Sequence, residues 1–197
     1  NCVFNDTDRG IRIKTLRGRG GVVEDIRVNN IIMNRVHCPF AINMHYFSSA
    51  ITLADEKAAS APGGTPVIRN IYFSNITASQ TRVAAAFLYG LPDMPVETVI
   101  FDNVVISMDK EAPEKGASPD MVREPKEAVC EGFFCKNVKD IEFNNVKIVT
   151  TRQGPAFKAE NVEGIKINGF DIRKPPSDSS PIEFKHVKNV HISRCSF

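Results

Sequence analysis

One repeated pattern of apolar and polar positions dominates the sequence. The pattern reads Val-x-x-(Ile/Val)-x-apolar-x-x-apolar-x-apolar, and a further copy over residues 71–76 lacks only the regular lead-in. Its full copies begin at Val23, Val96, Val138, Val162 and Val187. The step from Val138 to Val162 is 24 residues and that from Val162 to Val187 is 25 residues, whereas longer steps contain insertions. A repeat of this length is typical of a solenoid.

Each copy contains two short stretches in which apolar and polar residues alternate. This period of two is that of a strand with one buried face. The alternation shifts by one position in the middle of each copy, and the shift requires a bend. The residue at this point is Asn30, Asn75, Asn103, Asn145 or Gly169, and only Arg194 in the last copy departs from this rule. Because Asn and Gly enter the left-handed backbone region at low cost, the pattern predicts a strand, a one-residue corner and a second strand.

A third short apolar stretch separates successive copies. These stretches are 11–14, 40–44, 84–87, 132–135, 155–158 and 181–184. Three strands in each unit of about 25 residues predict an all-β fold, a right-handed parallel β-helix of about six to seven coils. Residues 1–197 are interpreted as a single domain of this kind. A leucine-rich repeat would require Leu-x-x-Leu-x-Leu units and a β-propeller would require hairpin turns, and the sequence has neither pattern.

Two insertions, 54–66 and 108–125, interrupt the period. Long excursions from a regular solenoid usually lie on one face and often border a binding cleft. The charges of the second insertion alternate in sign, which is also typical of a solvated surface loop. For this insertion the two interpretations stay open.

Composition and charge exclude several classes of function. The chain has 25 Lys+Arg and 23 Asp+Glu, so its formal net charge is only +2 and neither nucleic acid nor an anionic membrane is an expected partner. No apolar run approaches the roughly 18 residues of a membrane span, and no targeting signal is visible. The five cysteines indicate neither a zinc site nor a dense disulfide framework, and no cofactor is expected. Cys130 and Cys135 could close a small disulfide loop or simply fill the core.

The segment 8–15 is the most informative for chemistry. Strand alternation places Ile11 and Ile13 in the core and directs Arg12 and Lys14 outward on one face, about 7 Å apart. The segment contains no carboxylate between these two cations, and folding alone gives no reason for their proximity. A bound anion gives one, because Arg offers a planar fork to a carboxylate and Lys a mobile point charge. Solvated surface is the competing interpretation.

Two motifs in the first 46 residues resemble a known family. Gly10-Ile11-Arg12-Ile13-Lys14-Thr15, followed by Gly18-Arg19-Gly20-Gly21, resembles the Arg-Ile-Lys region of glycoside hydrolase family 28, the polygalacturonases and related pectin hydrolases. The stretch 39–46 resembles the family segment that ends in an active-site tyrosine, here Tyr46. The resemblance implies a secreted or periplasmic enzyme that hydrolyses α-1,4-galacturonosyl linkages of an acidic polysaccharide, pectin, with inversion.

The resemblance also implies roles for individual residues. Arg12 and Lys14 would bind substrate carboxylates, and Tyr46 would line a subsite. His45 either lines the same cleft or lies on the surface. The family's acid and base aspartates lie in Asn-Thr-Asp, Asp-Asp and Gly-His-Gly motifs that precede Arg-Ile-Lys, and these are not found here. The segment 6–8, Asp-Thr-Asp, is interpreted as structural, so the chain is interpreted as a C-terminal portion whose acid and base lie upstream of Asn1.

Other functions are compatible with the same fold. A non-catalytic carbohydrate-binding β-helix would keep the cationic groove without the carboxylates. A β-helical adhesin or tailspike segment would have no site, and the combination of Arg12, Lys14 and Tyr46 argues against it. A pectate lyase would need an acidic cluster for calcium, and the sequence shows none.

Overall fold

The computed structural model describes residues 1–46, 64–112, 118–122, 131–152 and 154–197. All regular elements in these ranges are strands, which confirms the predicted all-β class. They are β1 (Cys2–Asn5), β2 (Arg9–Lys14), β3 (Val22–Asn34), β4 (Cys38–Asn43), β5 (Val67–Thr81), β6 (Ala84–Tyr89), β7 (Val96–Met108), β8 (Glu131–Val149), β9 (Phe157–Arg173) and β10 (Ile182–Ser193). No helix occurs in the described part of the chain, so none there is long and apolar enough to cross a membrane.

Every strand pairs in parallel with the equivalent strand of the next coil. One series of pairs runs β1–β3–β5–β7–β8 and a second runs β2–β4–β6–β8, after which β8 pairs with β9 and β9 with β10. The register follows the sequence repeat, since equivalent positions face one another across each step. One such row consists of Ile26, Ile71, Val99, Ile141, Ile165 and Val190. The row contains one residue from each of six coils, and β1, which pairs with β3, belongs to a seventh. This confirms a parallel β-helix with the predicted six to seven coils.

The predicted corners adopt the left-handed backbone conformation. Asn30, Asn75, Asn103 and Asn145 have φ between 50° and 56°, and Gly169 has φ 78°. Arg194 has φ 51°, so the last corner has the same geometry despite its residue type. Its strand β10 pairs in register with β9, and the stacked coil imposes the bend. A side chain such as that of Arg enters this region at a cost of roughly 1–2 kcal/mol.

A second set of left-handed corners lies five residues before the first and was not predicted. Its members are Asp25, Asn70, Thr98, Asp140, Gly164 and Asn189. These positions fall inside the Val-x-x-(Ile/Val) lead-in and divide each unit into its strands. The lead-in is therefore a turn between two inward-facing residues.

Asparagine at the corners also forms hydrogen bonds between coils. Asn103 Nδ2 donates to Asn75 Oδ1 at 2.7 Å, and Asn145 Nδ2 donates to Asn103 Oδ1 at 3.1 Å. Each amide thus bonds the amide of the coil above or below it. Glycine would permit the same backbone but would leave these bonds unmade.

Phenylalanine side chains fill the interior in columns. Phe73, Phe101, Phe143 and Phe170 stack with ring centroids 5.1–5.4 Å apart and interplanar angles of 9–21°. Phe133 meets Phe101 and Phe143 edge-to-face. Both arrangements suit the quadrupole of the rings, and each pair adds about 0.5–1.5 kcal/mol beyond the burial of its surface.

A smaller apolar cluster lies on the outer face of β4, β6 and β8. This outer apolar cluster consists of Cys38, Ala41, Ala84, Phe87, Val122 and Phe134, with Tyr89 packed against it. Arg12 pairs with Ala41 and Ala41 with Phe87, so the cluster continues the row of Arg12. Of the two insertions, only 64–66 of the first and 108–112 and 118–122 of the second are described.

The cysteines fall into different environments. Cys38 and Cys135 are fully buried, and burial raises the pKa of the Cys38 thiol to about 12 and that of the Cys135 thiol further. Both are thiols, in keeping with a role as small apolar core residues. Cys130, the other half of the possible disulfide loop, lies outside the described residues.

Substitutions at Asn103 separate the two roles of a corner asparagine. We expect Asn103→Gly to lose the two amide hydrogen bonds but keep the backbone, and Asn103→Ala to lose both, so that Ala is less stable than Gly by roughly 1–2 kcal/mol. Urea unfolding of the two variants measures the difference. Asn29→Ala, at the exposed neighbouring position of an earlier corner, should change stability by less than about 0.5 kcal/mol. Equal stability of Asn103→Ala and Asn103→Gly would contradict the conformational role.

Candidate functional site

Strand β2 presents Arg12 and Lys14 on its outer face. It pairs with β4 so that Arg12 lies beside Ala41 and Lys14 beside Asn43. The alternating residues Ile11 and Ile13 pack against the main core from the inner face. The predicted alternation is confirmed, and the two cations lie on the same side of the sheet.

Tyr46 brings these cations together. Lys14 Nζ lies 4.2 Å from the centroid of the Tyr46 ring, and the guanidinium carbons of Arg12 and Arg19 lie 5.4 Å and 6.0 Å from it. The Tyr46 N–H donates to Thr15 O at 3.0 Å, which holds the ring beside the end of β2. The negative face of an aromatic ring attracts cations at these distances. We refer to Arg12, Lys14, Arg19 and Tyr46 as the Tyr46 cluster.

A residue that the sequence did not indicate, Asp120, completes the surroundings of Arg12. Its Oδ1 forms an ion pair with Arg12 Nη2, and its side chain is fully buried. Asn43 Nδ2 donates to Asp120 Oδ2 at 3.0 Å, and the Met121 N–H donates to Oδ1 at 2.8 Å. The argument that folding alone gives no reason for the position of Arg12 is therefore wrong. The partner lies in the second insertion, and no local pattern connects it with β2.

The other two cations of the cluster differ from Arg12. Lys14 and Arg19 are exposed, and neither forms an ion pair with a carboxylate in the described ranges. Among the described residues, the ring face of Tyr46 is the group with negative potential that lies beside both charges. The expectation of a cationic site open to an anion thus applies to Lys14 and Arg19. Arg12 lies beside them and is already paired with Asp120.

Residues 118–122 form a wall beside the cluster, and we call them the wall segment. Arg9 Nη2 donates to Ser118 O at 2.8 Å, and Val122 forms an antiparallel bridge with Tyr46. Residues 118–122 of the second insertion therefore border the candidate site. This favours the cleft interpretation over that of a solvated loop.

His45 packs on Tyr89, which belongs to the same outer row as Lys14 and Asn43. Its ring stacks on Tyr89 with centroids 4.0 Å apart, and its Nε2 lies 2.9 Å from Gly90 O. Because a carbonyl only accepts, Nε2 carries the proton of the neutral ring. Burial lowers the pKa of His45, and the nearby charges of Arg17 and Lys136 lower it further.

The glycines and the arginine that follow β2 serve the fold locally. The Gly18 and Gly20 N–H groups donate to Gly64 O at 2.7 and 3.1 Å. Arg17 forms an ion pair with Asp93, and its hydrogen bond lowers the pKa of that carboxyl group. Arg17 is thus already paired with a carboxylate.

The aspartates of segment 6–8 also have structural partners. Asp6 accepts two hydrogen bonds of 2.6 Å from Arg35, which lower its pKa, and it occupies a left-handed corner with φ 54°. Asp8 lies 3.3 Å from His37 Nδ1. These contacts agree with the structural interpretation of the segment. Within the described ranges, no group of three His, Cys, Asp or Glu side chains could hold a metal ion.

Comparison with known proteins shows the family of this chain. The sequence model described as Glycosyl hydrolases family 28 matches residues 1–130, more than half of the chain, and the match includes the Tyr46 cluster and Asp120. The chain belongs to glycosyl hydrolases family 28.

Individual relatives of this family 28 chain are plant and fungal proteins. A probable polygalacturonase of Vitis vinifera is 35% identical over 112 residues, which are 57% of this chain and 21% of the relative. A polygalacturonase of Juniperus ashei is 29% identical over 105 residues, 53% of this chain and 20% of the relative. An exopolygalacturonase of Rhizopus delemar is 48% identical over 46 residues, 23% of this chain and 13% of the relative.

The chain spans about a fifth of the length of the first two of these relatives. No solved structure matches it with significance. Family membership therefore rests on sequence, and the fold on the repeat and the register described above.

The environment of His45 predicts a pH dependence of stability. Since its pKa is lowered from 6.5 in the folded state, the unfolded chain binds a proton here at a higher pH than the folded chain does. Stability is therefore lost as the pH falls from about 6.5 through the folded-state value. His45→Gln removes this term, and its Tm should decrease less between pH 7 and pH 5 than that of the wild type. Equal decreases in thermal unfolding would show that His45 does not contribute.

Proposed function

We propose that this family 28 chain forms the substrate-carboxylate-binding part of a polygalacturonase-like hydrolase. The substrate is a pectin-type polysaccharide, and the reaction is hydrolysis of α-1,4-galacturonosyl linkages with inversion. The observation that carries the proposal is the Tyr46 cluster, in which the cations Lys14 and Arg19 lie beside an aromatic ring without a carboxylate partner in the described ranges.

The charge of the cluster favours an acidic sugar over a neutral one. Each galacturonate unit carries one carboxylate, which can accept charge-assisted hydrogen bonds from Lys14 and from the exposed part of Arg12. Such bonds are shorter than neutral ones and roughly twice as strong. The aromatic ring of Tyr46 also offers a surface against which the C–H groups of a sugar can pack. A neutral polysaccharide would leave the cations without a partner.

Inverting hydrolysis needs two carboxyl groups, one as general acid and one as general base to a water molecule. Asp120 is unsuited to either role, because it is fully buried and already contacts Arg12, Asn43 and the Met121 N–H. We assign the acid and base to aspartates upstream of Asn1. Residues of this chain bind and orient the sugar and do not transfer the proton.

The polymer substrate implies where the protein works. Pectin-type polysaccharide is too large to enter a cell, so we place the enzyme outside the cytoplasm, secreted or periplasmic. The partner is the acidic polysaccharide itself.

A non-catalytic carbohydrate-binding β-helix is the second candidate. It is favoured by one observation, the lack of the family's Asn-Thr-Asp and Gly-His-Gly motifs in residues 1–197. The reading frame upstream of Asn1 distinguishes the two: aspartate pairs and Gly-His-Gly within roughly one hundred residues favour the enzyme. Release of reducing sugar from polygalacturonate by the full-length protein, but not by residues 1–197 alone, is the expected result. Activity of residues 1–197 alone would contradict the upstream assignment.

Lys14 provides the sharpest test of substrate binding. Lys14→Met in the full-length protein should raise KM for polygalacturonate by about 10- to 100-fold, because one hydrogen bond to a charged group is lost. Lys14 is preferable to Arg12, since Arg12→Ala would also leave Asp120 buried without its cation.

Lys166→Met is the matched control. Lys166 is an exposed lysine of β9, and its Nζ lies 3.6 Å from Glu142 Oε2. Steady-state kinetics of this variant should equal those of the wild type. An unchanged KM for Lys14→Met would remove Lys14 from the site.

A further inference from the structure

The wall segment, which is part of the second insertion, contacts two members of the Tyr46 cluster. Its Asp120 contacts Arg12, and its Val122 bridges to Tyr46. Val122 is buried in the outer apolar cluster, with 7% of its surface exposed. Apolar burial thus anchors one end of the segment, while the Ser118 carbonyl bonded to Arg9 anchors the other.

Asp120 is fixed within this segment by several donors. Asn43 Nδ2 bonds one carboxylate oxygen, and the Met121 N–H bonds the other. Ser118 Oγ donates to the Asp120 carbonyl at 2.5 Å, which shapes the turn before it. The side chain of Asp120 has no exposed surface. A substrate therefore has no access to Asp120, and the carboxylate acts on the site only through its neighbours.

Arg12 depends on Asp120 for its orientation. Its Nε and Nη2 atoms are buried and form no hydrogen bond within the described residues, so the ion pair with Asp120 is the polar contact on this edge. A quarter of the Arg12 side chain remains exposed. An arginine loses much rotamer freedom when it is ordered, and a fixed carboxylate restricts that freedom before a ligand arrives.

We propose that Asp120 is a positioning residue that holds the Arg12 guanidinium in place to receive a substrate carboxylate beside Lys14 and Tyr46. The inference rests on the proposed function for the identity of the substrate. Asp120 does not compete with that substrate, because it is fully buried and its remaining lone pairs face Asn43 and Met121. Without this aspartate, the buried Nε and Nη2 atoms of Arg12 would have no anionic partner among the described residues.

The test is a double-mutant cycle in the full-length protein. Asp120→Asn keeps the shape of the side chain and removes its charge. We expect its KM for polygalacturonate to rise roughly tenfold while kcat changes by less than about threefold, since binding and not proton transfer is affected. In the Arg12→Met background, Asp120→Asn should have no further effect on KM. Additive effects of the two substitutions on KM would overturn the proposal, because Asp120 would then act independently of Arg12.

Asp6→Asn is the matched control. Asp6 also pairs with an arginine, Arg35, but both side chains are about half exposed, and they lie outside the Tyr46 cluster. Its KM and kcat should equal those of the wild type. A similar rise in KM for this variant would show that loss of any Asp–Arg pair is enough, which would also overturn the proposal.

A crystal structure of Asp120→Asn gives a readout that does not depend on the substrate. We expect Arg12 to be displaced or present in several rotamers while Val122 and Tyr46 keep their places. An unmoved Arg12 would overturn the positioning role. If the wild type neither binds trigalacturonate nor cleaves polygalacturonate, the proposed function fails, and the crystal structure still decides the role of Asp120.

Discussion

In-register stacking of parallel coils is the constraint on which the rest of the structure depends. Because each strand hydrogen-bonds to its equivalent in the next coil, every inward-facing residue must lie directly beside the equivalent residue of that coil. The row from Ile26 to Val190 and the column of stacked phenylalanines both follow from this condition. The corner geometry follows too, since even Arg194 adopts the left-handed conformation of the residues stacked with it.

The candidate site uses this regularity on the outer face of the coil. Alternation on β2 places Arg12 and Lys14 outward, and pairing with β4 places Asn43 beside Lys14. The chemistry then comes from departures from the repeat: Tyr46 follows the end of β4, and Asp120 belongs to an insertion. The stacked coils therefore fix the positions of Arg12 and Lys14, and the segments outside the repeat contribute the ring of Tyr46 and the carboxylate of Asp120.

The fold could be predicted from the sequence because its determinants are periodic. Equivalent residues separated by 45 positions, such as Ile26 and Ile71, were aligned by pattern alone, and the structure pairs them. The second set of corners could not be predicted, because residue types as different as Asp25 and Thr98 occupy it and no single type marks the position. His45 lies beyond the end of β4, where strand alternation no longer determines direction. The contact of Asp120 with Arg12 is long-range and aperiodic, so no local rule could reveal it.

Stacking also separates distance along the chain from distance in space. The 45 residues from Ile26 to Ile71 and the 24 from Ile141 to Ile165 each advance the coil by one strand spacing, about 4.8 Å. A loop between two strands can therefore grow, shrink or change its composition without moving the rows on either side. The wall segment can therefore change in sequence and length while Arg12 and Lys14 keep their places on β2.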